Sequence, residues 1–420
     1  MNGLKGNLRP PNLAGNRIEG VLKSPHRTRS VEESAASIIA IDVTSYLASR
    51  TGVGVCVGEL VSALLAIPGE DRFRLCALSM RGGAAAKLSQ RFPAVEICVK
   101  PLPMRVLTPL ADRCSWLHAE ALFGDAHVFH AGPLLVPAGK RAAVVVTVYD
   151  LTPIRFPEFH VRSNLFTIQE LRRRLDRADL VMVPSSSTAK DLEDLGLVPQ
   201  QKVRVVPLGV DGCFKPVASE NRGMLARFGL DCEYILNVGA IEPRKNLPRL
   251  LQAFRILKDR HRISHKLAVA GPRGWKDEEI LQSVQQLKLS DSVVFTGYVS
   301  DEMLNLLYNH AALLVYPSLY EGFGLPPLEA MAAGCPVAVS NISSLPEVVG
   351  DAGVYFDPLA VEDIARAIYQ ILGSSELRAV LAKSGEIQSR RFSWSKTAEA
   401  TLRIYREARE IRKLARRAGN

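Results

Sequence analysis

Two glutamates eight positions apart, Glu321 and Glu329, enclose a glycine turn and the start of a helix: Glu321-Gly322-Phe323-Gly324-Leu325-Pro326-Pro327-Leu328-Glu329. Free backbone N–H groups at such a turn and helix start make an anion site. Two carboxylates beside an anion site would repel a simple phosphate, so their presence needs a reason. A ligand that carries both phosphates and hydroxyls supplies one. Its diphosphate would sit on the N–H groups of Gly322, Phe323, Gly324 and Leu325, and its hydroxyls on the glutamates. The competing reading is a plain loop followed by a helix-start Glu that merely suits the macrodipole. Spacing alone does not choose between them.

The surrounding elements are those that would hold such a turn. The apolar run Ala311 to Tyr316 reads as a short buried strand. Pro326 and Pro327 stand where a helix begins, which predicts a helix over about 326–333 with Gly334 as its stop. Cys335-Pro-Val-Ala-Val339 then reads as the next buried strand. The grammar is strand, glycine turn, helix, strand.

Taken whole, Glu321-Gly-Phe-Gly-Leu-Pro-x-Leu-Glu329-Ala-Met-Ala-x-Gly334 resembles the signature of the retaining glycosyltransferases of family 4. The resemblance covers about residues 38–410 and is densest from Tyr234 to Asp357. It implies a GT-B enzyme: two Rossmann-like domains facing a cleft, using a nucleotide diphosphate sugar. It further implies that Glu321 holds sugar hydroxyls and Glu329 the ribose hydroxyls.

Other stretches acquire a meaning from the same resemblance. Tyr234 to Gly239 reads as a strand, and Arg244-Lys245 follow it at the start of a helix running to about Lys258. Two adjacent cations there could neutralise a diphosphate; alone they could equally be solvated surface charges. Lys245 matches the family's clamp lysine. Ala240 stands where an arginine is usual, so Arg244 has to supply the second charge. The strand stretch Arg141 to Pro153 carries Tyr149-Asp150 where the family usually has a histidine near the sugar; tyrosine is no base at neutral pH. Gly52 and Gly54 form a glycine loop between the first strand and a helix over about 55–65, positioned to approach the donor diphosphate. Gly271, Tyr298 and Val299, at later strand ends, would line the nucleotide pocket. No Asp-x-Asp occurs, so metal chelation of the diphosphate is not expected, nor is a cofactor.

Strand and helix patterns alternate throughout, which predicts an α/β protein with parallel sheets. The 420 residues, 47% apolar and 23% charged, fit an ordinary globular chain of two to three domains. The expected division is a disordered basic tail over 1–36, an acceptor domain over 37–212, a nucleotide-sugar domain over 213–394, and a last helix over 395–420 packed back on the first domain. Further helices are expected over about 111–123 and after Ser185. The seven cysteines are scattered, without C-x-x-C spacing, so neither disulfides nor zinc are expected.

The formal charge is +10, of which residues 1–36 contribute +3 and residues 401–420 contribute +5, leaving +2 on the 364 between. That distribution opposes a nucleic-acid groove. It leaves an anionic membrane surface or plain solvated ends as readings of the two termini. No run approaches the roughly 20 apolar residues that span a bilayer, and no signal-peptide pattern opens the chain. A cytoplasmic enzyme is expected, with its basic ends available to the inner face of the membrane.

The reading is transfer of a hexose to a hydroxyl of a glycan or lipid-linked acceptor in polysaccharide biosynthesis. The Pro-Arg-Lys-Asn form at 243–246 resembles mannosyltransferases of bacterial surface-polysaccharide assembly, which makes GDP-mannose the first expectation for the donor. The alternative, a catalytically silent nucleotide-binding or scaffold protein on the same fold, draws on Tyr149 and Ala240.

Overall fold

The computed structural model describes residues 36–47, 52–114, 117–132, 134–160, 167–217, 219–275 and 277–418. The expected disordered tail lies outside these except for Ala36, as do Arg50, Thr51 and Trp116. The described chain forms two parallel sheets of Rossmann type, as the alternation of strands and helices implies.

The first sheet contains β1 (Ile38–Asp42), β2 (Arg72–Leu78), β3 (Glu96–Lys100), β4 (Val128–Ala131), β5 (Ala143–Thr147), β6 (Leu180–Val183) and β7 (Val203–Val205). Its order is β3-β2-β1-β4-β5-β6-β7. The second contains β8 (Tyr234–Val238), β9 (Lys266–Ala270), β10 (Val293–Gly297), β11 (Leu313–Tyr316), β12 (Val337–Ser340) and β13 (Gly353–Phe356), in the order β10-β9-β8-β11-β12-β13. Every pairing is parallel. Central strands such as β5, β8 and β11 are buried at every residue. Their mostly apolar runs are what a sheet covered on both faces requires; the polar exception in β8, Asn237, is satisfied by donating to the Val315 carbonyl at 2.9 Å.

Both sheets reverse direction once, between β1 and β4 and between β8 and β11. Such switch points leave a crevice outside the carboxyl ends of the strands, where ligands bind. The loops after β1 and β8 are therefore the ones placed for chemistry.

Two local expectations change. Gly52 and Gly54 are not a loop: they open the helix Gly52–Ala66, and both fall in its first turn. The helix expected over 111–123 is two helices, Met104–Arg113 and Ala119–Phe123. The second starts under its own cap, with His118 Nδ1 accepting from the Ala121 N–H at 3.1 Å.

The final helix, Trp394–Ala418, lies on the first sheet. Tyr405 on it is buried and its hydroxyl is 2.7 Å from His130 Nδ1. Thr397 Oγ1 donates to the Pro207 carbonyl at 2.8 Å, and Arg412 pairs with Asp179 at 2.7 Å. No described helix is long and apolar enough to cross a membrane.

Candidate active site

A cavity of about 430 Å³ opens between the carboxyl ends of the two sheets. Seven of the residues expected at the donor line it: Gly52, Gly54, Gly271, Tyr298, Val299, Leu325 and Glu329. Gly271 is there for a backbone reason. It has φ +150°, and a Cβ on it would sit 2.1 Å from the Gly239 carbonyl oxygen. The ends of β8 and β9 can close on each other only with glycine at this position.

Glu329 lies in the helix Leu325–Ala332. Its carboxylate accepts a hydrogen bond from the Tyr308 hydroxyl at 2.9 Å. Burial raises the carboxyl from its ordinary 4.5 to about 7; the Tyr308 bond opposes this, and Asp301 and Asp211 add to it. Among the described residues no cation offsets the burial, so the proton is held near neutrality.

Glu321 has the opposite surroundings. Its Oε1 accepts from Lys245 Nζ at 2.6 Å and from the Tyr316 hydroxyl at 2.9 Å, and its Oε2 pairs with Arg244 at 2.8 Å. Burial pulls its carboxyl upward, but Arg244 and then Lys245 more than offset this and hold it at about 2. Arg244 also pairs with Glu242 at 2.8 Å and donates to the Tyr320 carbonyl at 3.0 Å. Burial, and after it Arg244, draw the Lys245 ammonium below its ordinary 10.5. The result is a buried cluster of two cations and two carboxylates, built from the 3₁₀ turn Pro243–Lys245 and the glycine turn.

The glycine turn itself is wedged between the two sheets. The Gly322 carbonyl accepts from Ser185 Oγ at 2.7 Å and Thr188 Oγ1 at 3.2 Å, both on the first half of the chain. A Cβ at Gly322 would lie 1.9 Å from the Tyr149 carbonyl oxygen and 2.8 Å from Asp150 Cβ. Gly324 caps the helix start at φ +114°. Pro326 and Pro327 carry no N–H, so the donors at this helix start are those of Gly324 and Leu325.

Several expected residues do not line the cavity: Glu321, Lys245, Arg244, Tyr149, Asp150, Gly322, Phe323 and Gly324. The Phe323 ring is buried edge-on to Phe392, with ring centres 5.7 Å apart, so only its backbone is left for a ligand. Tyr149 lines a separate void of about 10 Å³ beside Cys56 and Trp394. Burial, then Cys56 and Tyr405, raise its hydroxyl well above the ordinary tyrosine value, which keeps it neutral. Asp150 Oδ1 accepts from the Thr152 N–H at 3.1 Å and starts the next turn. His130 is a structural residue. Both ring nitrogens are taken, by Tyr405 and by Thr147 at 2.7 Å, and burial lowers it to about 4.

The cavity also contains residues that the sequence reading passed over. Lys87 and Arg91 share a face of the helix Ala84–Arg91. Their four-residue spacing was a readable signal. Glu59 faces Asp211, and burial and then Asp211 raise it to about 7, with Arg91 opposing. Nothing local in the sequence links Glu59 to Asp211, because they meet only in the folded chain.

The comparisons with known proteins agree with this architecture. The sequence model of Glycosyltransferase Family 4 matches residues 50–212, and that of Glycosyl transferases group 1 matches residues 227–388. The chain is 35% identical over 283 residues to O-antigen chain mannosyltransferase B of Escherichia coli, covering 67% of this chain and 74% of that one. It is 32% identical over 280 residues to the serotype-specific mannosyltransferase WbdA of Escherichia coli, covering 64% of this chain but only 34% of that longer protein. The fold is that of a sucrose-phosphate synthase from Thermosynechococcus elongatus, with TM-score 0.72 at 22% identity over 88% of this chain and 98% of that one. The protein is a GT-B glycosyltransferase. It belongs to glycosyltransferase family 4.

Proposed function

We propose that the enzyme transfers mannose from GDP-mannose, with retained configuration, to a hydroxyl of a glycan or lipid-linked acceptor in polysaccharide assembly. The observation that carries the reading is the pairing of Glu329 in the cavity with the Glu321–Arg244–Lys245 cluster at the adjoining turn. The choice of sugar draws on the relative named O-antigen chain mannosyltransferase B.

In this reading the nucleotide lies against Gly271, Tyr298 and Val299, and its ribose hydroxyls meet Glu329. The diphosphate reaches the N–H groups around Gly322 to Leu325. Arg244 and Lys245 stabilise the charge that develops on it as the sugar leaves. Glu321 holds these two cations apart from solvent and orients them before the donor arrives. Its carboxylate then meets the sugar hydroxyls. Gly52 and Gly54 let the first helix approach the donor closely. Tyr149 and Asp150 act through their backbone, which seats the glycine turn. No metal is assigned, since the cation pair supplies the counter-charge. We also assign the basic end of the last helix a weak contact with an anionic membrane surface, which would place a cytoplasmic enzyme peripherally on it. Co-sedimentation with anionic vesicles that falls as salt rises tests this, and equal recovery with neutral vesicles would remove it.

A thermal-shift comparison of GDP, UDP and ADP and their sugars tests the donor. Stabilisation follows RT ln(1 + [L]/Kd), about 2.7 kcal/mol at a hundredfold excess over Kd. GDP and GDP-mannose should give the largest shift. A larger shift with UDP or ADP compounds would overturn the donor assignment.

A further inference from the structure

A second cavity, of about 340 Å³, lies at the opposite end of the first sheet from the cleft. Its wall includes Ile38 at the start of β1, His127 just before β4 and Arg141 just before β5. These mark the amino ends of parallel strands, whereas the donor cleft opens at their carboxyl ends. The final helix closes the cavity with Arg409, Arg412, Lys413 and Arg416. Five cations thus face one space, with Asp125 as the carboxylate on its wall.

Two of the five are neutralised in place. Arg412 pairs with Asp179 at 2.7 Å, and Lys413 with Glu410 at 2.7 Å. Arg409 donates to the neutral Ser37 hydroxyl. Arg141, Arg409 and Arg416 form no ion pair among the described residues. The cavity therefore holds more positive charge than its neighbours cancel. His127 reports the same field. Burial, and after it Arg409 and Lys413, hold its ring below the ordinary 6.5. Its Nδ1 accepts the Ile38 N–H at 2.9 Å, so the neutral ring carries its proton on Nε2 as a further donor.

We propose that this cavity binds the phosphoryl group of an anionic ligand, at a site separate from the donor cleft. Guanidinium forks converging on one space match phosphate oxygens better than they match a single carboxylate. The volume exceeds that of a bare phosphate, so the ligand is a phosphoryl group carried by a larger molecule. That molecule is either a soluble phosphate ester or a phospholipid headgroup. The site does not depend on the donor assignment or on a membrane role for the helix.

The experiment uses the full chain and three proteins. One is wild type. The second carries Arg141→Ala, Arg409→Ala and Arg416→Ala. The third is a charge-matched control with Arg403→Ala, Arg406→Ala and Arg417→Ala, which lie on the same helix but off the cavity wall. Calorimetry with inorganic pyrophosphate and glycerol 3-phosphate reads the soluble source. Flotation with phosphatidylglycerol vesicles, against phosphatidylcholine vesicles, reads the lipid source. At least one arm should show binding that the cavity variant weakens about tenfold or more, on the order of one lost charge-assisted hydrogen bond. The control should stay within about twofold of wild type by the same reasoning. Should the triple variant fail to fold, Arg141→Glu alone replaces it, because no hydrogen bond or ion pair ties that side chain to the described structure. Equal weakening of cavity variant and control would overturn the proposal in favour of diffuse charge. So would the absence of saturable binding in both arms.

Discussion

Glu321 and Glu329 sit eight residues apart, the first buried and the second half-buried on the cavity wall, and are held about five pH units apart, at about 2 and about 7. Burial pushes both upward. The difference lies in what each meets on the far side: Arg244 and Lys245 against one, a neutral tyrosine hydroxyl and more distant carboxylates against the other. A family signature therefore contains two chemically distinct carboxylates. One is a permanent anion that arranges cations. The other changes protonation near neutral pH, where a hydroxyl-bearing ligand would find it either as acceptor or as donor.

The sharpest way to break this comparison is Glu321→Gln. It removes the counter-charge of a buried cation pair, so folding should lose roughly 3 kcal/mol. If Glu321 also meets the sugar, kcat should fall about ten- to a hundredfold. Steady-state kinetics at a temperature where circular dichroism shows the fold intact would check this. An unchanged kcat would leave Glu321 a structural residue only.

Gly322→Ala probes the same turn through its backbone. The added methyl meets the Tyr149 carbonyl, which belongs to a different sheet and cannot rotate away. Overpacking of this kind costs about 1–3 kcal/mol. The melting temperature should fall accordingly, and transfer should weaken because the turn is pushed off its seat. A variant with wild-type stability would mean that the two sheets separate freely here.

For Glu329→Gln the expected effect is smaller and falls on binding. If Glu329 meets the ribose, a contact that is the same in ground and transition states, the donor KM should rise, by about tenfold, with little change in kcat. The pH behaviour follows from the raised value. The folded state favours the protonated acid, so the wild-type carboxyl destabilises the fold most above pH 7, and this penalty disappears as pH falls through 4.5. Glu329→Gln should therefore gain stability relative to wild type at pH 8 and none at pH 4.5. Glu321 behaves in the opposite sense. Its lowered value adds stability that is present above 4.5 and lost as pH falls toward 2. Melting curves of the two variants across this range should diverge from wild type in opposite directions.

The smallest expected effect is that of EDTA. If Arg244 and Lys245 supply the counter-charge to the diphosphate, transfer should continue unchanged in the chelator. Loss of activity restored by Mn²⁺ or Mg²⁺ would assign the counter-charge to a metal instead.

The sequence by itself determined the alternation of strands and helices, because short, mostly apolar runs such as those of β5, β8 and β11, set between turn signals and helical patterns, fit strands of a covered parallel sheet. It also put two carboxylates eight positions apart on a glycine turn and the helix after it, since residue type and spacing there are local; which of the two meets cations was decided by the fold. Tertiary structure decided the rest. Gly52 and Gly54 became a helix turn instead of a loop, because the first residues of a helix tolerate glycine and the boundary is set by packing, not by composition. Phe323 went to the core, where its ring finds Phe392, about 70 residues away in the chain. Glu59 came to face Asp211 on the cavity wall, and the basic final helix folded down onto His127 and Arg141. Charge and hydrogen-bonding partners of this kind are separated by tens to hundreds of residues. No local pattern encodes them, and only the closing of the sheets brings them within reach.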